Sequence, residues 1–213
     1  MKSKAVANLS DRLAAVVGQQ PQVRAAGENR ATLEGGKIKL AGKEVSELSD
    51  VVILAAVQER TYYANPYTGE GAAPDCYSFD GVAPAQNAAD PQHDNCAGCP
   101  MNEWGSNGRG KACKERIKMA FAPSGNLDNV AILRAPVTST ANYGTFQKDS
   151  AAHGYKVPFQ HSTTISASRH PKWGNVTQVQ YSVGEALPDD VVMAALDRFD
   201  SALAVITQPY EAE

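Results

Sequence analysis

The sequence predicts a mainly β protein: an antiparallel, barrel-like sheet with a long cross-linked insertion and a C-terminal helix. Three observations carry this. Six or so short segments alternate in polarity or run apolar at strand length. A stretch of about fifty residues between them has no period, holds three cysteines and is followed at once by a fourth. The last segment repeats apolar residues at spacings of three and four.

Residues 1–35 read as an N-terminal arm. Ser10 suits the N-cap of a short helix through Leu13, Val16 and Val17 that ends at Gly18 and is broken by Pro21. A mobile arm and a packing helix fit this segment equally. Residues 36–187 read as the β domain. Lys37-Ile38-Lys39-Leu40 alternates at period 2, and Ala41-Gly42 turns the chain into Lys43-Glu44-Val45. Residues 50–57 are β-rich and mostly apolar, as in a central strand, and run on to Tyr62 and Tyr63. An insertion follows at about 64–115, rich in proline and glycine.

Strands resume at residues 116–121 and 129–135, a short helix fits 138–154, and two more strands fit 162–168 and 175–183. Pro171-Lys172-Trp173-Gly174 reads as the hairpin tip between the last two. Residues 188–213 read as a helix and short tail. Pro188, Asp189 and Asp190 open the helix, and Val192, Leu196, Phe199, Leu203 and Ile206 form its apolar stripe. Five or six antiparallel strands suit a small barrel of the OB type, with a β-sandwich as the alternative.

The 213 residues are 43% hydrophobic and 20% charged, the balance of a soluble globular chain. No apolar run reaches the ~18 residues of a membrane span. The first residues have no apolar core behind their lysines, so no signal peptide is expected and a cytoplasmic location is. Disulfides are rare there, so four cysteines need another explanation. The net charge of −3 speaks against a basic nucleic-acid binder until it is resolved along the chain. Residues 101–134 hold six Lys/Arg against three Asp/Glu, whereas the segments before and after are net acidic.

The cysteines are spaced Cys76-x19-Cys96-x2-Cys99-x13-Cys113. A CxxC turn aims two thiolates at one point, and Gly98 within it permits the positive φ of such a knuckle. Four thiolates form the closed, tetrahedral donor set of structural Zn²⁺, with no open position for catalysis. A site of three cysteines and His93, an iron–sulfur cluster, and disulfides or unconnected thiols are the alternatives. A structural metal contributes on the order of 10 kcal/mol, enough to order a segment with no core of its own.

Arg109, Lys111, Lys114, Arg116, Lys118 and Arg134 surround the last cysteine in sequence. They are candidate phosphate contacts, or a solvated face that balances the thiolates. Six of the fifteen aromatic residues lie between positions 62 and 104. Tyr62, Tyr63, Tyr67, Tyr77 and Trp104 are candidate base-stacking rings, or the local core of the insertion. Gly108-Arg109-Gly110-Lys111 is not a Walker loop, because Ala112 stands where Ser or Thr is required. His153, His161 and His170 have no ligand spacing and read as surface or capped residues. There is no GxSxG, HExxH or catalytic carboxylate pair, so no enzyme activity is expected.

The stretches Thr61-Tyr62-Tyr63, Pro74-Asp75-Cys76-Tyr77-Ser78-Phe79-Asp80-Gly81, Cys96-Ala97-Gly98-Cys99-Pro100-Met101-Asn102-Glu103-Trp104-Gly105-Ser106 and Gly110-Lys111-Ala112-Cys113 resemble a bacteriophage family. Its pattern reads roughly YY, PDCYSxDG, CxxCPxNxWGS, GKAC, and residues 132–136 fit it too. The family is that of phage single-stranded DNA-binding, helix-destabilising proteins with a four-cysteine zinc motif. The resemblance covers about residues 50–136. It implies an OB-like barrel, zinc on Cys76, Cys96, Cys99 and Cys113, and a role in phage DNA replication or recombination inside the infected bacterial host. One departure is the tail, which has only Glu211 and Glu213 where such proteins often carry a long acidic segment.

The function expected is therefore non-specific binding of single-stranded DNA in a basic, aromatic-lined groove. Phage replication or recombination proteins are further expected partners, and a homo-oligomer is compatible with this role. The alternative is a zinc-stabilised interaction module that docks a host or phage protein and has no DNA affinity.

Overall fold

The computed structural model describes residues 29–65 and 72–210. The expected helix near Ser10 and the candidate ring Tyr67 lie outside them. Nine strands among the described residues form one sheet. They are β1 (Arg30–Glu34), β2 (Lys37–Leu40), β3 (Lys43–Val45), β4 (Glu47–Tyr62), β5 (Cys76–Ser78), β6 (Lys114–Pro123), β7 (Ala131–Ala135), β8 (His161–Arg169) and β9 (Thr177–Ala186). Two helices accompany them, α1 (Thr140–Ala152) and α2 (Asp189–Ile206). The sheet order is β3-β2-β1-β7-β6-β4-β8-β9, with β5 added to β4. Every pair is antiparallel except β1–β7, which is parallel.

The sheet begins at Arg30, inside the segment expected to be an arm. Its first hairpin turns at Gly35-Gly36, both at positive φ, a conformation glycine adopts without steric cost. The missing side chain at Gly36 also matters, since a Cβ there would sit 2.8 Å from the Arg169 backbone nitrogen. That contact shows the shape of the sheet. β1 and β8 are separated by three strands, yet Arg169 Nε donates to the Gly35 carbonyl and the Gly36 N–H donates to Thr177 Oγ1. The sheet therefore curls until its two hairpins meet, forming an open half-barrel whose edges are β3 and β9.

Two cores lie on the two faces. Inside the curl, Ile53, Met119, Phe121, Leu133, Ile165 and Val179 pack with Tyr143 and Phe146 of α1. Tyr143, Phe146 and Ser150 share one face of that helix by their spacing of three and four. On the outside, Val52, Leu54, Ala120 and Ala122 pack with Ala195, Ala202 and Ile206 of α2. This corrects the expected stripe. Alanines bring α2 close to the sheet, and Leu196 is turned out to solvent. Truncating a fully buried ring such as Phe146 to Ala costs about 3–5 kcal/mol.

The end of β9 is closed by α1 rather than by another strand. Ser139 Oγ accepts the Val179 N–H, and Asn142 Nδ2 donates to the Val179 carbonyl. This blunts an edge that would otherwise pair with another chain. Of the two readings of His161, surface or capped, the structure excludes the first: the ring is fully buried, with Ser150 Oγ at 2.9 Å from its Nε2 and the Ser162 carbonyl at 2.8 Å from its Nδ1. No helix among the described residues is long and apolar enough to cross a membrane.

Candidate nucleic-acid interface

β4 decides which residues meet. Its register against β6 slips between Ile53 and Ala55. A bulge of this kind inserts one extra residue and reverses the in–out alternation beyond it. Ile53 faces the inner core, Leu54 and Ala55 both face α2, and Ala56 faces inward again. Past the bulge, Val57 and Glu59 share the outer face with their cross-strand partners Lys118 and Arg116. Arg60 and Tyr62 share the inner face with Glu115, Ser78 and Cys76. The basic residues and the cysteines thus stand on opposite faces of the same strands.

The outer face carries a groove of about 830 Å³ between β6, β7 and α2. Its floor includes Leu127, Val130, Ile132 and Ala202, and its walls include Arg30, Lys118, Arg134, Arg198 and Tyr210. A second cavity of about 510 Å³ shares Arg30 and Arg134 with it and adds Arg116 and Thr177. The two adjoin as one basic track.

Its deepest charge is Glu59, fully buried. Glu59 accepts the Tyr210 hydroxyl at 2.7 Å and lies 3.5 Å from Lys118 Nζ and 3.4 Å from Arg134 Nε. Burial holds the Lys118 ammonium down to a pKa of about 8, against the opposing pull of Glu59. Burial also pushes the Tyr210 phenol up, and its bond to Glu59 adds to this. Tyr210 lies nearly parallel to Phe79 with centroids 6.1 Å apart, and Lys118 sits over both rings. Arg198 is tied to Asp128 at 2.7 Å.

The cysteine segment lies at the far end of the inner face. It is irregular, as its sequence predicts, apart from β5 and one 3-10 turn at Pro100–Asn102. Aspartates organise its turns. Asp80 Oδ1 accepts from Ser78 Oγ and from the Val82 and Ala83 N–H groups, and these bonds hold its carboxyl below the usual range. Asp75 accepts the Ala64 N–H. Within the CxxC turn, Asn95 Oδ1 accepts the Gly98 N–H at 2.7 Å.

Cys76, Cys96, Cys99 and Cys113 are free thiols, and all four line one small cavity of about 20 Å³ together with His93, Arg60 and Tyr62. Among the described residues no group of three or more His, Cys, Asp or Glu side chains is gathered tightly enough to hold a metal ion. Burial raises the Cys76 thiol, and it pushes Cys113 up to about 11. Four soft donors and one histidine on a shared cavity are the chemistry a thiophilic ion takes.

The structure divides the sequence-predicted set. Arg116, Lys118 and Arg134 stand together on the track. Lys111 instead donates to Asn102 Oδ1 and Lys114 to the Lys111 carbonyl, both within the cysteine segment. Arg109 is exposed on the same segment. Tyr77 is 2% exposed and bonded to Asn87, so it offers no face to a base and serves as local core. Tyr62 and Tyr63 are half-buried, and Trp104 is 79% exposed. Sequence reasoning missed Arg30, Arg198, Glu59 and Tyr210. Glu59 had a signal, a carboxylate in an otherwise β-rich run, whereas Tyr210 reaches its partner from 151 residues away. No family model, curated protein or solved structure matches the chain.

Proposed function

We propose that this is a non-enzymatic single-stranded DNA-binding protein of a bacteriophage, acting in replication or recombination in the infected cell. The observation that carries the reading is the basic track of Arg30, Arg116, Arg134 and Arg198, with Lys118 buried beneath it, on a chain whose net charge is −3. An acidic protein that gathers its cations in one open groove attracts a polyanion there and repels it elsewhere. Tyr210 and Phe79 supply aromatic faces beside the track. We read the curled sheet as an OB-like barrel and the cysteine segment as ordered by a structural Zn²⁺ on Cys76, Cys96, Cys99 and Cys113. When bound, the ion cross-links the segment. The protein's own residues hold the strand.

Titration of labelled oligo-dT by fluorescence anisotropy at 50 and 200 mM salt tests this, with duplex DNA as control. About four phosphate contacts at about 0.7 each give a log–log salt slope of roughly −3. Micromolar protein that fails to bind at 50 mM salt would overturn the reading. The second reading, a protein-docking module, is favoured by Trp104 and Val82, both well exposed on the cysteine segment. It predicts no DNA affinity and loss of a captured phage or host partner on Trp104→Ala.

A further inference from the structure

Arg60 stands on the inner face of β4, directly across from Ser78 on one side and Glu115 on the other. The next row on that face contains Tyr62, Cys76 opposite it, and Cys113 two residues before Glu115. Arg60 therefore borders the row that holds two of the four cysteines, and it lines their cavity. Its side chain is only 12% exposed. Nη2 pairs with Glu115 Oε2 at 3.1 Å, but Nε and Nη1 are buried with no hydrogen-bond partner. Gly81 packs against the same guanidinium, since a Cβ there would lie 3.5 Å from Nε.

Buried donors on a cation are costly when unpaired, and one carboxylate answers only one of the three nitrogens. The cavity beside them offers sulfur. A neutral thiol is a weak acceptor, whereas a metal-bound thiolate is a strong one that carries charge. Four thiolates on Zn²⁺ leave a net −2 that calls for a nearby cation.

We propose that Arg60 is the positioning residue of the cysteine site: its Nε and Nη1 donate to metal-bound cysteine sulfurs, Cys113 among them, and its charge offsets the excess thiolate charge. This rests on the reading of the four cysteines as a metal site, and not on the DNA reading.

The test uses the full chain loaded with zinc, and compares Arg60→Met, Arg60→Gln, Arg60→Lys and, as a neighbouring control, Gln58→Ala. Zinc affinity is measured by competition with a chromophoric chelator, and Co²⁺ replaces zinc for spectroscopy. Removing a partner of a ligating group weakens metal binding by about 10–100-fold. That loss is expected for Arg60→Met and Arg60→Gln, with partial recovery in Arg60→Lys and less than threefold change in Gln58→Ala. The sulfur-to-cobalt charge-transfer band should move to lower energy in Arg60→Met, because sulfur lone pairs lose their donors. Packing damage alone would not shift that band. If the methionine variant fails to fold by circular dichroism, the glutamine and lysine variants decide. Wild-type protein that binds no stoichiometric metal defeats the metal reading itself. Wild-type binding with unchanged affinity and band position in the Arg60 variants, or an equal loss in Gln58→Ala, defeats the role of Arg60.

Discussion

Tyr210 donates its hydroxyl proton to Glu59 Oε1 at 2.7 Å, and Arg134 Nη2 donates to that same hydroxyl at 3.1 Å. The phenol is thus one member of a buried network with one carboxylate and two cations. Glu59→Gln leaves Lys118 and Arg134 facing each other without their counter-charge. Breaking a buried pair in this way costs about 3–5 kcal/mol. Tyr210→Phe removes both of the hydroxyl's bonds while Lys118 still approaches the same Glu59 oxygen, and costs about 0.5–1.5 kcal/mol for each bond. Urea denaturation of the two variants should show that order, and equal stabilities would refute the network.

The two classes of basic residue separate in a binding assay. Arg30 and Arg116 line the track without a role in the Glu59 network. Alanine at either should weaken oligo-dT binding and reduce the magnitude of the salt slope by about 0.7, the share of one single-strand phosphate. Lys111 and Lys114 are engaged within the cysteine segment. Alanine at either should leave the slope unchanged. A slope that falls for the lysines and not for the arginines would move the DNA to the cysteine face.

Metal removal should loosen one region selectively. Among its described residues the cysteine segment contributes none to either core, so the ion is its main cross-link under the proposed reading. Chelator treatment should open sites within residues 79–112 to limited proteolysis while the β4–β6 sheet retains its circular dichroism. A digestion pattern that chelator leaves unaltered counts against structural zinc.

Acid should destabilise the inner core through His161. Burial lowers its pKa below the ordinary 6.5, with His153 adding to this and the bond to the Ser162 carbonyl opposing it. Between its folded pKa and 6.5 the unfolded chain binds more protons than the folded one. Stability is therefore complete above pH 6.5 and falls as the pH drops through that window. Urea midpoints at pH 7 and pH 5 measure the loss, and His161→Gln should reduce it. An identical pH dependence in both proteins would show that another group is responsible.

Much of the fold is legible in the sequence because its signals are local. The alternation at 37–40 and 116–121, the Ala41-Gly42 turn and the Pro188-Asp189-Asp190 helix start each lie within a few residues. β1 escapes because Ala31 and Leu33 give too short a pattern before Gly35, and its parallel partner is β7, a hundred residues on. The misjudged helix stripe has a similar cause. Leu196 fits the helical period, but the close approach permitted by Ala195 and Ala202 decides which face is buried. Site residues follow the same rule. The cysteines announce themselves by spacing, whereas burial of Tyr77 and recruitment of Arg30 and Tyr210 depend on which strands become neighbours.

The slip at Ile53 and Ala55 has a consequence for the chemistry of both faces. It acts as a phase switch on β4. Strict alternation from Ile53 would carry Glu59 to the cysteines and Arg60 to the track. A carboxylate would then stand among four sulfurs, and Lys118 and Arg134 would have no acid between them. The bulge that absorbs one extra residue at Leu54 and Ala55, upstream of Glu59, thus keeps each charge in the surroundings that suit it. Deleting either Leu54 or Ala55 would remove the bulge and leave Glu59 and Arg60 on their present faces, so the strand bulges because it carries both.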